Sequence, residues 1–131
     1  MNISQAAAAT GLSAKTIRYY EQQGIVAPAE RSDNGYRTYS PVHIDELKFI
    51  KRTRSLGFSL EEGRDLLRLA QDPNRTSAQV KSKALEHIQQ ITEQIEALEA
   101  MRAALLPIVE QCQGDESTDC PIIDQLSGRS Q

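Results

Sequence analysis

Between about residues 76 and 111 the chain carries a single apolar stripe: Ala84, Ile88, Ile91, Ile95, Leu98, Leu105 and Val109. The steps alternate between four and three, pause at Arg102 and resume, which is the seam of a coiled coil. A helix of this length cannot bury one stripe against itself. It needs a second helix, and a second copy of the chain is the simplest source. Docking on the rest of the chain is the alternative, but residues 1–72 are too few to cover the whole stripe. Extending the seam puts Ser77 and Cys112 on the same stripe, roughly 50 Å apart at 1.5 Å per residue. A parallel pair would keep those ends apart. An antiparallel pair centred on Gln94 and Ile95 would bring Ser77 of one chain to Cys112 of the other. Pro107 removes a helical hydrogen bond to the Ala103 carbonyl and is expected to bend the last turns.

The segment before this helix reads differently. Asp72-Pro73-Asn74 disfavours helix continuation and marks a boundary. The expected organisation is therefore residues 1–72, a dimerisation helix over 73–111 and a loop with a short helix or tail over 112–131. Within the first part, residues 3–9 are Ala-rich and should be helical. Gly11 makes a turn, and Ser13 can cap a second helix that runs to about Gln23. Asn34-Gly35 followed by Tyr36-Arg37-Thr38-Tyr39 signals a hairpin. Ser40-Pro41 opens a third helix to about Ser55. Ser59-Leu60-Glu61-Glu62 is a capping box that opens a fourth.

Charge divides along the same line. The net charge of −3 hides an asymmetry: residues 1–70 hold ten basic and eight acidic residues, and residues 71–131 hold five and ten. Phosphate affinity would come from a basic face on the first part. No apolar run reaches the roughly 18 residues of a membrane span, and Met1–Gln5 lacks the start of a signal peptide. A cytosolic protein is expected, with no membrane partner. No nucleophile–base spacing, Gly-rich phosphate loop or catalytic metal cluster is visible, so an enzyme is not expected.

Two helices joined by a Gly-containing turn form a helix-turn-helix. At 100° per residue the second helix has two faces. Ser13, Thr16, Ile17 and Tyr20 fall on one, while Ala14, Lys15, Arg18, Tyr19 and Gln22 fall on the other. The second face presents groups that reach phosphates and base edges in a major groove. The hairpin would add a wing, and Lys48, Lys51, Arg52 and Arg54 of the third helix could hold flanking phosphates. A charged helix face is usually only solvated. The order of helix-turn-helix, Arg/Tyr wing, basic helix and long dimer helix is far more specific than any one piece.

The two cysteines, Cys112 and Cys120, are spaced C-x7-C near the C-terminus. In a reducing cytosol they point to soft-metal binding or thiol chemistry rather than a structural disulfide. Two thiolates suit a soft monovalent ion such as Cu(I), with Ag(I) and Au(I) as mimics, whereas Zn(II) normally takes four ligands. Asp115, Glu116 and Asp119 could instead hold a hard divalent ion. His43 and His87 lie far away in sequence and read as structural or solvated. A disulfide or electrophile switch at the same pair stays open, as does a coiled-coil interaction protein that does not bind DNA.

Thr16-Ile17-Arg18-Tyr19-Tyr20-Glu21, Asn34-Gly35-Tyr36-Arg37-Thr38-Tyr39 and Leu56-Gly57-Phe58-Ser59-Leu60 strongly resemble the MerR family of bacterial activators, over essentially the whole chain. The cysteine pair with Asp119-Cys120-Pro121-Ile122-Ile123 is similar to its copper-responsive, CueR-type branch. The resemblance implies a mainly α, winged helix-turn-helix homodimer with an antiparallel coiled coil and a C-terminal metal-binding loop. It implies binding to double-stranded promoter DNA and an activator that remodels this DNA for RNA polymerase, switching on copper-efflux and detoxification genes. By position, Arg18 and Tyr19 become recognition-helix contacts, Tyr36 and Arg37 wing contacts and Arg54 a backbone contact; Lys15, Thr16 and Tyr39 complete the expected DNA set. Divalent-sensing relatives are expected to carry a cysteine at position 77, so Ser77 favours a monovalent ion and stands as a neighbour of the metal site. Ile122, Ile123 and Leu126 are expected to relay the metal signal by packing on the DNA-binding part when the loop closes.

Overall fold

A computed structural model of the chain describes residues 1–128; the last three positions of the expected 112–131 tail lie outside the described residues. The order is α1 (Ile3–Thr10), α2 (Ala14–Gln22), β1 (Glu30–Arg31), β2 (Arg37–Thr38), α3 (Pro41–Ser55), α4 (Leu60–Gln71), α5 (Ser77–Gln111) and α6 (Pro121–Leu126). The chain forms two compact units, Met1–Ser82 and Lys83–Gln131, so the first turns of α5 group with the elements before them.

In the first unit, local chemistry sets the helix ends. Asn2 and Gln5 form a reciprocal capping box on α1, each bond 2.8 Å, and α1 closes on Gly11 at φ 74°. Ser13 Oγ accepts the Thr16 N–H at 3.0 Å and starts α2. Ser59 and Glu62 make the expected box on α4. On α3 the third-position partner is a histidine: His43 Nδ1 accepts the Ser40 N–H at 3.1 Å. His43 Nε2 lies 3.1 Å from the Pro28 carbonyl, which can only accept, so the proton sits on Nε2. His43 therefore pins α3 to the loop before the wing.

Helices α1 to α4 enclose a small core in which Ala6, Ile17, Leu47 and Ile50 have 0–1% exposure. The α3–α4 contact is the largest between helices and is close because Gly63 has no side chain. A Cβ there would stand 2.5 Å from Thr53 Oγ1, and Thr53 is buried with its hydroxyl donated to the Ile50 carbonyl at 2.8 Å. Gly63→Ala is therefore expected to destabilise the fold by about 1 kcal/mol, because overpacking of about 2 kcal/mol, the middle of its usual range, outweighs a helix-propensity gain just under ~1 kcal/mol. Adding Thr53→Ala should recover most of that loss in a urea melt; an unshifted midpoint for Gly63→Ala alone would refute the close contact.

The wing is shorter than the sequence predicts. Glu30 pairs with Thr38 and Arg31 with Arg37 in an antiparallel hairpin of two residues per strand. Tyr36 and Tyr39, expected in the strand, lie outside it. Asn34-Gly35 does not form a two-residue turn but sits in the loop 32–36, where Gly35 takes φ 80°. The loop closes with bonds from Gly35 N–H to Ser32 O and from Ser32 N–H to Tyr36 O, each 2.8 Å. Arg31 adds a bond to the Gly35 carbonyl at 2.9 Å.

The long helix α5 has 35 residues and runs through Pro107 to Gln111. Its apolar stripe is bare: Ile88, Ile91, Ile95 and Leu98 are 57%, 36%, 51% and 63% exposed. His87 is the buried residue of this helix. Among the described residues, no helix is long and apolar enough to cross a membrane.

Candidate functional site

Helix α2 has the two faces its sequence predicts. Ile17 and Tyr20 are buried, whereas Lys15, Arg18 and Gln22 are exposed and Tyr19 is 48% exposed. Thr16, on the packing side, is half-buried, and its hydroxyl accepts from Ser13 Oγ at 2.8 Å, so it is tied into the cap. The outer face of α2 thus offers two cations, an amide and a phenol to whatever fills the groove.

The wing residues separate. Tyr36 stands at the loop's end, 74% exposed. Arg37 is half-buried and paired to Glu21 of α2, with Nη1 to Oε2 at 2.7 Å. Tyr39 corrects an expectation: it is 2% exposed and sits in the core, so its side chain is not presented to DNA. Exposure alternates from Tyr36 through Tyr39, with Arg37 and Tyr39 turned to the inner side and Tyr36 and Thr38 facing out. Burial, and next the Glu21 carboxylate beside it, raise the Tyr39 phenol above its ordinary value. The Glu21–Arg37 pair was missed by sequence reasoning because its members are sixteen residues apart with no local pattern to link them.

Helix α3 carries exposed Lys51, Arg52 and Arg54, with Lys48 half-buried. Arg54 Nη1 donates to the Phe58 carbonyl at 2.9 Å, which steadies its guanidinium at the turn into α4. Thr10, Lys48, Lys51, Arg52 and Ser55 line an open cleft beside the end of α1. Lys51 Nζ lies directly over Gly11, in the space a Cβ would take.

In the second unit, Cys112 follows the last turn of α5 and Cys120 caps α6. Both are free thiols of intermediate exposure, and their Sγ atoms lie 3.9 Å apart. That exceeds a disulfide bond of about 2.05 Å and falls just inside the ~4.6 Å spanned by two metal–sulfur bonds of about 2.3 Å each. The donor pair fits one soft ion. Among the described residues, no group of three or more His, Cys, Asp or Glu could hold a metal, so Asp115, Glu116 and Asp119 do not form a hard-ion site with a third ligand. Asp115 Oδ1 is instead used within the loop, accepting the Ser117 N–H at 2.9 Å.

The Cys120 thiol is held below its ordinary value chiefly by the backbone N–H of Ile123, then by Cys112 and the Ile122 N–H; partial desolvation and Asp124 oppose them. Donors aimed at sulfur stabilise the thiolate. In a Cys112→Ser chain, alkylation of Cys120 should therefore reach half-maximal rate at a lower pH in the folded protein than in the same chain unfolded in urea. A folded midpoint equal to or above the unfolded one would remove the backbone donors from the account.

Known proteins resemble the chain over nearly its whole length. Residues 1–70 match the family described as MerR HTH family regulatory protein, and residues 44–108 match the one described as MerR, DNA binding. The HTH-type transcriptional regulator CueR of Escherichia coli O6:H1 is 50% identical over 128 residues, covering 98% of this chain and 95% of the relative. The transcription regulator PbrR691 from Ralstonia metallidurans CH34, solved with lead(II), superposes with a TM-score of 0.83 at 29% identity, covering 96% of this chain and 98% of that one. The regulator MerR from Bacillus megaterium MB1, solved with mercury(II), gives a TM-score of 0.70 at 31% identity, covering 93% and 94%.

Proposed function

The chain belongs to the MerR family of helix-turn-helix regulatory proteins, and from that premise we propose that it is a Cu(I)-responsive transcription activator that works as a dimer on promoter DNA. Members of this family bind DNA and are not enzymes. The observation that carries the copper reading is the approach of Cys112 and Cys120 Sγ to 3.9 Å on a loop with no third protein ligand among the described residues. The high identity to CueR regulators supports it. Ag(I) and Au(I) are accepted as chemical mimics of Cu(I).

Each chain offers Lys15, Arg18 and Tyr19 from α2 to a major groove, with Thr16 at the same helix end. Tyr36 meets the backbone from the wing, which Arg37 holds to α2 through Glu21, and Arg54 meets it from α3. The bare stripe of α5 pairs antiparallel with that of a second chain, which brings Ser77 of one chain near Cys112 of its partner. Bound Cu(I) would bond both thiolates and so tie the two ends of the loop together. Ile122, Ile123 and Leu126 of α6 carry the change onward. Ile123 and Leu126 are 59% and 74% exposed, so burying them would bias one state of the dimer over another. Bending a promoter site costs on the order of 1–6 kcal/mol, within reach of an ion that prefers one state. The genes under control would be those of copper efflux and detoxification.

Run-off transcription by RNA polymerase from a copper-efflux promoter of the source genome tests the reading. Adding Cu(I) should raise the transcript on the order of 10-fold, with the protein's footprint present before and after. A transcript raised by an oxidant but not by Cu(I) would move the function to thiol-redox sensing. Absence of any footprint would leave only a coiled-coil interaction protein.

A further inference from the structure

Glu21 is the one acidic residue of α2, and its side chain is 6% exposed. A carboxylate withdrawn from water must have its charge and lone pairs met. The wing meets them. Oε2 accepts from Arg37 Nη1 at 2.7 Å, and Oε1 accepts the backbone N–H of Ala29, just before β1, at 3.3 Å. Both legs of the hairpin are therefore tied to one side chain of the helix. Tyr39, just after β2, anchors the same leg: its N–H donates to the Met1 carbonyl at 2.7 Å, and its own carbonyl accepts from the Met1 ammonium at 3.0 Å. A hairpin of two residues per strand is too short to set its own direction.

We propose that Glu21 is a positioning residue for DNA binding, which clamps Arg37 and the Ala29 N–H and so fixes the angle between the recognition helix and the wing. Arg18 and Tyr19 on one side and Tyr36 on the other then meet a single duplex together. The proposal rests on the DNA-binding reading above. The sign of its effect sets it apart from simple charge. Glu21 is an anion in a phosphate-binding domain, so removing its charge alone should tighten binding. A loss of binding requires the clamp.

The probe is the duplex that the wild-type chain enriches from a random-sequence pool. A wild-type chain that enriches none would overturn the DNA-binding reading itself, before any variant is compared. Dissociation constants are measured by anisotropy at one salt concentration for Glu21→Gln, Arg37→Gln and the double variant, with thermal melts to count folded protein. Each single variant should bind about 10-fold more weakly per folded molecule, and the double no more weakly than the worse single, as expected for two halves of one part. Tyr36→Ala, next to Arg37 on the wing that the clamp positions, should add little further loss to that of Glu21→Gln. Glu21→Gln binding as tightly as the wild type or tighter, losses that multiply between Glu21→Gln and Arg37→Gln, or a lowered melting temperature with intact affinity would each overturn the clamp. If Glu21→Gln does not fold, Glu21→Asp is judged by the same criteria, since it keeps the charge but is one methylene too short to reach Arg37 and Ala29 together.

Discussion

Cys112→Ser or Cys120→Ser is expected to lower Cu(I) affinity by more than about 10²-fold, beyond the roughly 10–100-fold typical of losing a group that only supports a ligand. The argument is one of ligand count. The two Sγ atoms stand 3.9 Å apart, and no cluster of three or more ligating residues exists among the described residues to replace either one. A serine hydroxyl is a hard donor and does not substitute for a thiolate toward a soft ion. An anaerobic competition titration of the reduced protein reads the effect, with about one ion per chain in the wild type. Zn(II), which prefers four ligands, should compete poorly. Binding that survives either substitution, or Zn(II) that competes on equal terms, would end the two-thiolate assignment. The same cysteines would then be candidates for a dithiol–disulfide switch on the DNA-binding scaffold.

Replacing Ile91 and Ile95 together with lysine is expected to convert the dimer to monomer. These residues are 36% and 51% exposed in the single chain, on the bare stripe of α5. Fully burying an aliphatic side chain contributes about 1.5–3 kcal/mol; a dimer holds two copies of each residue, each one-third to one-half exposed beforehand, so the four lost side chains remove about 3–5 kcal/mol, or roughly 10²–10⁴-fold in the dimer dissociation constant. Enclosing an ammonium in the seam adds to the loss. Lysine is a good helix former, so α5 itself should persist. Sedimentation over a dilution series separates a 14.6 kDa species from one of twice that mass. Affinity for a duplex with two half-sites should fall in parallel, because each chain then binds alone. A double-lysine chain that remains dimeric at the wild type's concentrations would mean that something other than a second α5 covers this stripe.

Much of this was legible without coordinates because the signals are local. Ser13, Ser40 and Ser59 start helices where the sequence says they should, since a cap needs only a side-chain oxygen and an N–H three residues on. The two faces of α2 follow from helical period alone. The alternating steps in α5 are readable because a seam is a property of one helix. The cysteine pair was legible as chemistry, though not as a distance.

Other features depend on residues brought together from afar. Tyr39 reads as a surface aromatic beside Arg37, yet it is a core residue, because positions 37 and 39 turn inward and positions 36 and 38 outward as the chain leaves the wing. Asn34-Gly35 promised a tight turn, but the register of Arg31 with Arg37 spreads the loop over five residues. The close α3–α4 approach hangs on Gly63 against Thr53, ten positions apart, and nothing in either local stretch announces it. The long helices, the caps at Ser13, Ser40 and Ser59, the two faces of α2, the apolar stripe of α5 and the presence of two thiols are thus legible in the sequence, because each is set by period, capping or residue chemistry over a few positions. Only the tertiary structure decided which side chains of the wing face inward, that Glu21 holds the wing to α2, and that two sulfurs separated by a seven-residue loop stand within reach of one ion. Those depend on burial and on loop closure, and neither is encoded in any short stretch of the chain.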